Sequence, residues 1–410
     1  MDGGRALTIE QQRKILERGV EEILPAGELE PLLRIAQSEN RPLRVKLGID
    51  PTASDIHLGF AVVLRKLRQF QDLGHTACLV IGDFTASIGD PSGRSKTRPV
   101  LSRAEIERNV HSYEQQLYRI LDPDRTEISY NGDWLAEMRF ADVIQLASQY
   151  TAARMLERDD FAKRIEDQQP VYIHETLYPL CQGQDSVQIR ADIELGGSDQ
   201  KFNNLVGRDL QRNAGQRPQL VMLMPLLVGT DGVEKMSKSL DNYIGIDEPP
   251  EEQFGKAMSI PDEQIAAYLE LATDAPPEEI EAARGAQNPM AAKTALAKRV
   301  AALYHGREAA ERAAEHFAST VRRREAPDEM PELNAAPLIE DNGKNKGVWI
   351  VKLIAAAGFA ESNSAARRLI QQGAVSIDGE RITDANAHVS PADGAVLKAG
   401  KRRFARLVMK

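Results

Sequence analysis

Two short motifs, far apart in the chain, carry side chains suited to binding phosphate groups. Residues 235–239 read Lys-Met-Ser-Lys-Ser, so two ammonium groups flank a small serine. Residues 57–60 read His-Leu-Gly-Phe at the predicted start of a helix, where unpaired main-chain N–H groups and the helix dipole attract anions. Placed on opposite sides of one site, the two motifs would bind the triphosphate of ATP.

The histidine motif is the weaker of the two, because His-x-Gly is common by chance. Thr52 lies on the turn before His57 and could donate its hydroxyl group, and Gly59 would let a ligand approach the backbone. The alternative interpretation is a helix cap with a surface histidine, which we would prefer without residues 235–239. For that lysine motif the alternative is a flexible basic loop, which a match of this length disfavours.

Segment 89–96, Gly-Asp-Pro-Ser-Gly-Arg-Ser-Lys, superficially resembles a phosphate-binding loop. Its spacing excludes a P-loop nucleotidase, which needs the pattern Gly-x-x-x-x-Gly-Lys-Ser/Thr. Asp90 could instead bind a cationic group, while Arg94 and Arg98 would form a mobile basic loop. From the residues alone, a solvated turn is an equally good interpretation.

Three polar side chains fall on one face of a predicted helix. Tyr178, Gln182 and Asp185 follow the i, i+4, i+7 spacing that aligns side chains along a helix. A buried carboxylate on that face would need a hydrogen-bond donor, which a phenol hydroxyl supplies and a phenylalanine ring does not. The alternative is an exposed polar stripe, which we would favour without the other motifs.

Composition indicates a globular protein with several domains. The chain has 410 residues, of which 42% are hydrophobic and 28% charged. The first twenty residues show no signal-peptide pattern and no run has the length of a membrane span, so we expect a cytoplasmic protein without a membrane partner. Cys78 and Cys181 lie far apart in apolar segments, which fits a reducing compartment. The seven histidines lack ligand spacing, so no metal site is predicted.

Charge is distributed unevenly along the chain. The net charge is −9, which argues against uniform binding of polyanions. Residues 346–410 hold eleven Lys or Arg against five Asp or Glu, an excess of six positive charges. Arg367 and Arg368 on a short helix and the cluster of Lys401, Arg402 and Arg403 are the candidate RNA-binding residues.

Alternating strand-like and helix-like segments predict a parallel α/β sheet in the first part of the chain. The predicted strands are 44–49, 77–82, 191–195 and 219–228, and the predicted helices are 57–73, 102–120, 136–167 and 199–213. Residues 250–320 read as helices only, and the segment from Trp349 reads as short helices and strands. The predicted fold class is α/β: a Rossmann-like parallel-sheet catalytic domain, an all-helical domain and a small α+β domain.

The chain resembles bacterial tyrosyl-tRNA synthetases of class I, in the branch that carries Lys-Met-Ser-Lys-Ser. The resemblance covers nearly the whole length, and the stretches that carry it are 45–59, 81–98, 178–185, 194–203 and 226–243. Segment 288–306 is similar to the family's anticodon-side helical domain, and 349–407 is similar to an S4 RNA-binding domain. The resemblance implies domains at 1–245, with a dimer-forming insertion at about 115–190, at 246–323 and, as an S4-like domain, at 347–410. Residues 324–346 hold several prolines, acids and an Asn-Gly pair, so their composition predicts a linker.

By the same resemblance, each matching residue has an expected role. Asp90, Tyr178 and Gln182 match residues that hold the tyrosine ammonium, Asp185 matches the acceptor of its hydroxyl, and Gln200 lies near its carboxylate. Gly48, Asp50, Gly59, Gly197, Asp199 and Lys238 match the ATP site. Thr52, His57, Lys235, Lys238, Arg94 and Arg98 match the groups around the pyrophosphate.

Two positions depart from the family pattern. Phe60 stands where a second histidine is usual, and Lys46 stands where the better-known branch has a tyrosine that contacts the substrate hydroxyl. We assign Lys46 to the tyrosine site, paired with Asp185 or directed elsewhere. The implied substrates are L-tyrosine, ATP with Mg²⁺ and tRNA(Tyr), with no permanently bound cofactor, and the implied assembly is a homodimer.

Three alternatives remain at this point. A tryptophan-specific relative would share the fold, but Asp185 and the S4-like end argue against it. A catalytically silent RNA-binding paralogue is favoured by Phe60 and disfavoured by intact Lys235, Lys238 and Gln200. A cofactor adenylyltransferase would share the histidine motif but would not need an S4-like domain.

Overall fold

The computed structural model describes residues 7–51, 55–92, 103–286, 288–322, 330–341, 346–400 and 403–409. The chain divides into two compact units, Met1–Ala314 and Glu315–Lys410. The predicted helical domain 246–323 belongs largely to the first unit, together with the sheet domain. In the described part of the chain no helix is long and apolar enough to cross a membrane.

The first unit is built on a six-stranded sheet. Its strands are β1 Glu22–Leu24, β2 Arg44–Ile49, β3 Thr76–Ile81, β4 Thr126–Tyr130, β5 Ile193–Gly197 and β6 Leu220–Met224. The order is β1-β6-β5-β2-β3-β4, with β1 antiparallel to β6 and every other pair parallel. The predicted parallel α/β sheet is therefore confirmed. Two edge strands escaped the sequence analysis, because β1 has only three residues and β4 carries few apolar ones.

Helices cover the sheet and continue beyond it. They are α1 Ile9–Glu17, α2 Leu29–Ser38, α3 Leu58–Asp72, α4 Thr85–Ile88, α5 Arg103–Leu117, α6 Gly132–Leu135, α7 Phe140–Ala147, α8 Ala152–Leu156, α9 Asp159–Glu166, α10 Ile173–Ile189, α11 Lys201–Asn213, α12 Pro250–Ser259, α13 Ile265–Ala272, α14 Pro277–Arg284, α15 Pro289–His305 and α16 Arg307–Arg322. One predicted helix, 136–167, is wrong as a continuous element. Thr151 caps α8 through its side chain, and extended backbone at Arg158 separates α8 from α9.

Close packing of α10 on α11 brings two polar helix faces together. A Cβ atom on Gly183 would lie 2.8 Å from a methyl of Leu210 and 3.2 Å from the main-chain nitrogen of Gly207. Only glycine permits this approach without displacing the neighbouring helix. At the start of α11, Asn203 and Asn204 reach the side chain of Gln182 on α10.

The second unit contains two small sheets and a pair of helices. Its elements are β7 Glu332–Asn334, β8 Ile339–Asp341, β9 Lys346–Trp349, α17 Ile350–Ala356, α18 Asn363–Gln371, β10 Val375–Ile377, β11 Glu380–Arg381, β12 His388–Val389, β13 Val396–Ala399 and β14 Arg403–Val408. The sheets have the orders β11-β10-β13-β14-β7 and β12-β9-β8. Their shared core includes Ile350, Ile354, Ile370, Leu397 and Leu407.

The structure corrects the predicted linker at 324–346. Within it, β7 pairs in parallel with β14, and β8 pairs with β9, so residues 332–341 are part of the terminal unit. Composition misled the prediction, since prolines and acids flank these short strands and hide their pattern. Residues 323–329 and 342–345 lie outside the described residues.

Candidate active site

A cavity of about 550 Å³ opens at the carboxyl ends of β2, β3 and β5. Strand order reverses here, with β3 on one side of β2 and β5 on the other, which leaves a crevice suited to a ligand. Its lining includes most of the predicted site residues: Gly48, Asp50, His57, Gly59, Asp90, Tyr178, Gln182, Asp185, Gly197, Asp199, Gln200, Lys235 and Lys238. Thr52, Arg94 and Arg98 lie outside the described residues.

The histidine motif forms one wall of the phosphate end. His57 caps α3, and its Nδ1 accepts a hydrogen bond of 3.3 Å from the Phe60 main-chain nitrogen. Burial, and after it the nearby charges of Lys238 and Lys235, lower the pKa of His57 to about 4. The imidazole is therefore neutral near pH 7, and its Nε2 carries the proton that a phosphate oxygen could accept.

The two motifs meet at Gly59. Its main-chain nitrogen lies 3.2 Å from the sulfur of Met236, the residue between the loop lysine and serine. A Cβ atom at this position would lie 3.2 Å from the Met236 Cβ and 3.1 Å from the His57 Nδ1. Glycine therefore allows the helix start and the lysine motif to pack against each other, as a shared phosphate site requires.

The lysine loop, residues 229–242, is held by one buried asparagine. The Asn242 Oδ1 accepts a bond of 2.8 Å from the Ser237 main-chain nitrogen, and its Nδ2 donates to Asp231 at 2.7 Å and to the Lys235 carbonyl at 3.2 Å. A side chain on Gly229 would collide with Asn242. Sequence reasoning missed this asparagine, which shapes the loop from within.

Both loop lysines are paired with carboxylates at the cavity. The Lys235 Nζ lies 2.7 Å from an Asp199 oxygen, and the Lys238 Nζ lies 2.6 Å from an Asp55 oxygen. These side chains are partly exposed, so each pair contributes little to stability. Polyphosphate oxygens entering the cavity would compete with two carboxylates for the same ammonium groups.

Asp185 forms the opposite, buried end of the cavity. Trp134 donates its indole N–H to one carboxylate oxygen at 2.9 Å, and Asn131 donates to the other at 3.3 Å. Burial raises the pKa of Asp185 to about 7, against the opposing attraction of Lys46 and these two donors. A further donor from a ligand would stabilise the ionised form of this carboxyl group.

Asp50, at the end of β2, holds Tyr178 in place. Its two oxygens accept bonds from the Tyr178 hydroxyl at 2.8 Å and the Thr85 hydroxyl at 2.7 Å. A Cβ atom on Gly82 would fall 2.0 Å from Asp50, so a glycine is required beside it. A Cβ atom on Gly48 would meet nothing within 4 Å, which leaves the cavity floor open.

Lys46 does not line the cavity, which corrects its assignment to the tyrosine site. Its Nζ lies 2.9 Å from Glu194 and donates to the Gln182 carbonyl at 2.8 Å and the Ser186 hydroxyl at 2.7 Å. The side chain is fully buried, two residues before Gly48 on the same face of β2 and hence roughly 7 Å deeper in the sheet. Lys46 therefore supports α10 from behind the site.

Asp90 and Gln200 line the cavity and are bonded to each other. The Asp90 carboxylate accepts 2.9 Å bonds from the Gln200 side-chain amide and from the Ser92 main-chain nitrogen. The amide of Gln182 donates to Glu194 at 3.1 Å and to Asn204 at 2.9 Å. A fixed carboxylate surrounded by oriented amides suits the ammonium and carboxylate of an amino acid.

Comparisons with known proteins identify the family of the chain. A family model described as "tRNA synthetases class I (W and Y)" matches residues 37–322, and an S4 domain model matches residues 348–394. The tyrosine–tRNA ligase of Moorella thermoacetica is 52% identical over 97% of this chain and 96% of its own length. That of Salinibacter ruber is 53% identical over 97% of each chain. The chain belongs to the tyrosine–tRNA ligase family.

Solved structures support the same fold. The tyrosyl-tRNA synthetase of Archaeoglobus fulgidus, complexed with L-tyrosine, matches with a TM-score of 0.60 at 21% identity, over 75% of this chain and 100% of that one. A C-terminally truncated mitochondrial tyrosyl-tRNA synthetase from Aspergillus nidulans matches with a TM-score of 0.61 at 21% identity, over 78% and 95%. The predicted fold class, with its terminal S4 domain, is confirmed.

In this tyrosine–tRNA ligase family member, the residues that sequence reasoning missed mostly support the predicted ones. Asn131 and Trp134 come directly after β4, a strand that the sequence analysis did not predict. Site residues also come directly after the carboxyl ends of other strands of this sheet. Had β4 been predicted, Asn131 and Trp134 would therefore have been candidate site residues. Asn203 and Glu194 lie within the stretch 194–203, which carries the family resemblance. Both bond to Gln182 on α10, a contact that the sequence of this stretch does not reveal.

The predicted RNA-binding residues fall in the second unit. The Arg367 guanidinium lies 5.3 Å from the ring centre of Trp349, and Arg368 is exposed on α18. Arg403 donates to the Phe359 carbonyl. Lys401 and Arg402 lie outside the described residues.

Proposed function

We propose that the chain activates L-tyrosine with ATP and then transfers the tyrosyl group to tRNA(Tyr). The observation that carries this proposal is the buried Asp185, which lies at the end of the same cavity that holds both phosphate motifs. Family membership supports it, since the relatives are named as tyrosine–tRNA ligases. Exchange of labelled pyrophosphate into ATP that depends on L-tyrosine tests the proposal.

In the first step the tyrosine carboxylate attacks the α-phosphorus of ATP, giving tyrosyl-adenylate and releasing pyrophosphate. No covalent enzyme intermediate is needed. Lys235, Lys238 and the neutral His57 would stabilise the charge that develops on the leaving pyrophosphate, with Thr52, Arg94 and Arg98 as further candidates. Mg²⁺ would enter with ATP as part of the substrate.

In the second step a hydroxyl group of the 3′-terminal ribose of tRNA(Tyr) attacks the carbonyl carbon of the tyrosyl-adenylate, which forms the tyrosyl ester and releases AMP. Asp50 and Asp199, on the ATP side of the cavity, would contact the nucleotide, and Gln200 would lie near the reacting carboxylate. Phe60 lines the same cavity, so a ring replaces the usual second histidine there. A silent paralogue would retain the RNA-binding unit without needing Lys235, Lys238 and Asp185 in one cavity.

We also propose that the protein is a homodimer and that the insertion contributes to the interface. Large apolar side chains are exposed between α7 and the start of α10: Phe140, Ile144, Ile165, Tyr172 and Ile173. Ile173 is 83% and Phe140 79% exposed, an arrangement typical of protein interfaces. A cytoplasmic location is proposed because Cys78 and Cys181 are buried thiols.

The terminal unit is proposed to bind tRNA without contributing to tyrosine activation. A chain that ends at Arg322 should keep its exchange rate within about twofold, because the cavity lies wholly in the first unit. Its charging of tRNA should fall by about tenfold or more as phosphate contacts are lost.

Salt dependence checks this division of function. Each lost phosphate contact should reduce the slope of log affinity against log salt by roughly 0.7–0.9. Full charging by the shortened chain would contradict the assignment of tRNA binding to the terminal unit. Lost exchange would show instead that this unit supports the catalytic fold.

A further inference from the structure

Arg158 is a buried arginine in the insertion that reaches the amino-acid end of the cavity. Its side chain is 3% exposed, and one guanidinium nitrogen lies 2.5 Å from the Asn203 Oδ1. A second donates to the Ser92 hydroxyl at 3.1 Å, and the fork also pairs with Asp160 at 3.0 Å. Arg158 is not a cavity-lining residue among those described, so it would act through its neighbours.

Asn203 connects Arg158 to two predicted substrate-binding residues, Gln182 and Gln200. It is fully buried, and its Nδ2 donates to the Gln182 Oε1 and to the Gln200 Oε1, both at 3.1 Å. Gln200 in turn donates to Asp90 at 2.9 Å. One asparagine therefore fixes the rotation of two glutamine amides at the proposed ammonium and carboxylate site.

The chemistry of the end groups sets the direction of every bond in this network. A guanidinium can only donate, so the Asn203 oxygen faces Arg158 and its NH₂ faces the glutamines. Carboxylates can only accept, so Gln200 directs its NH₂ to Asp90, and Gln182 directs its NH₂ to Glu194. Without Arg158, the Asn203 amide could turn over and present its oxygen to two glutamine oxygens.

Aromatic packing holds the guanidinium in this position. Its carbon lies 5.0 Å from the ring centre of Phe161 and 5.2 Å from that of Phe202. A buried arginine between two rings and a carboxylate keeps one geometry, which a mobile surface arginine would not. The insertion thereby supplies a rigid donor to the amino-acid end of the site.

We infer that Arg158 is a positioning residue for the α-ammonium and α-carboxylate of the substrate, acting through Asn203. This inference rests on the proposed function. The hydroxyl end, where Trp134 and Asn131 hold Asp185, has separate donors. Loss of Arg158 should therefore weaken recognition of the amino-acid group and leave recognition of the phenol unchanged.

The test compares two ligands that differ only at the amino-acid end. Binding of L-tyrosine and of 4-ethylphenol, which keeps the phenol but lacks both the ammonium and the carboxylate, is measured by calorimetry. The variant combines Arg158→Met with Asp160→Asn, so that no buried carboxylate is left unpaired. We expect affinity for L-tyrosine to fall about tenfold and affinity for 4-ethylphenol to change by less than about twofold.

A matched control comes from the same insertion. Arg164 is also buried, pairs with Glu175 at 2.8 Å and lies 5.9 Å from the Phe161 ring centre, but its guanidinium donates to Glu175 and to the Pro170 carbonyl and not to Asn203. Arg164→Met with Glu175→Gln should affect both ligands equally. Should the Arg158 double variant fail to fold, Arg158→Lys keeps the charge and loses the fork, and it should show a smaller loss confined to L-tyrosine.

Two results would overturn the inference while leaving the proposed function intact: equal losses for both ligands in the Arg158 variants, or no loss for either. Failure of the unaltered chain to bind L-tyrosine would overturn the proposed function and this inference together.

Discussion

Replacing Lys235 or Lys238 with alanine should slow the formation of tyrosyl-adenylate by about 100-fold or more, with the affinity for L-tyrosine nearly unchanged. Both ammonium groups lie at the phosphate end of the cavity, away from Asp185 and its donors. They would stabilise negative charge that develops only as pyrophosphate leaves. Removing either ammonium group should therefore destabilise the transition state and not the complex with tyrosine. Single-turnover quench-flow measures the rate, and equilibrium binding measures the affinity.

Lys256 provides the matched control. Its Nζ lies 4.8 Å from the Tyr243 ring centre, the ring that Lys238 also approaches at 5.8 Å, and it pairs with Glu248 at 2.6 Å. It is not among the described cavity residues, so Lys256→Ala should keep the rate within about twofold. Single-turnover rates near that of the unaltered chain in the Lys235 and Lys238 variants would refute the proposed mechanism.

Asp185→Ala should narrow the preference for tyrosine over phenylalanine. The change removes the acceptor for the phenol hydroxyl, so kcat/KM for tyrosine should fall by about 10- to 100-fold, while kcat/KM for phenylalanine should fall less. Rejection of phenylalanine by tyrosyl-tRNA synthetases is itself a standard illustration of this rule, which rests on leaving a buried polar group unpaired. Exchange assays with each amino acid give the two ratios.

The pH dependence gives a second measure of the same group. Because burial raises the pKa of Asp185 to about 7, the ionised acceptor is present above that pH and is lost as the pH falls through it. As the pH falls from about 8 to 6, the affinity of the unaltered chain for L-tyrosine should therefore decrease, and its affinity for phenylalanine should stay constant.

In Asp185→Ala, an unchanged ratio of kcat/KM for tyrosine to kcat/KM for phenylalanine would contradict this assignment. It would show that another group recognises the phenol hydroxyl.

Local signals were sufficient to predict much of the fold. Strand β2 has the predicted bounds, and His57 caps α3 at its predicted start. Both rest on patterns contained within a few residues, namely an apolar run and a cap followed by an amphipathic helix. The helix face of Tyr178, Gln182 and Asp185 followed from the same periodicity, and it lines the cavity.

The supporting side chains could not be predicted in this way. Lys46 pairs with Glu194, and Trp134 donates to Asp185, across separations that only the folded sheet brings together. Spacing along one helix or strand carries no information about such partners. The contact of Arg158 with Asn203 joins the insertion to the start of α11 and depends equally on tertiary packing.

In the terminal unit, the composition of residues 324–346 predicted a linker, but part of this segment forms two strands. Strands β7 and β8 have three residues each, too few for a strand pattern, yet both are paired. Their stability comes from β14 and β9, which follow later in the chain. A short edge strand is defined by its neighbour more than by its own sequence.

Amino-acid-dependent exchange of labelled pyrophosphate into ATP tests the central claim most directly, because it needs only the cavity and no tRNA. The purified chain is assayed with MgATP and each of the standard amino acids in turn. We predict exchange with L-tyrosine and far slower exchange with phenylalanine or tryptophan. Exchange stimulated by tryptophan and not by tyrosine would contradict the assignment of the substrate, and absence of exchange with every amino acid would identify a silent paralogue.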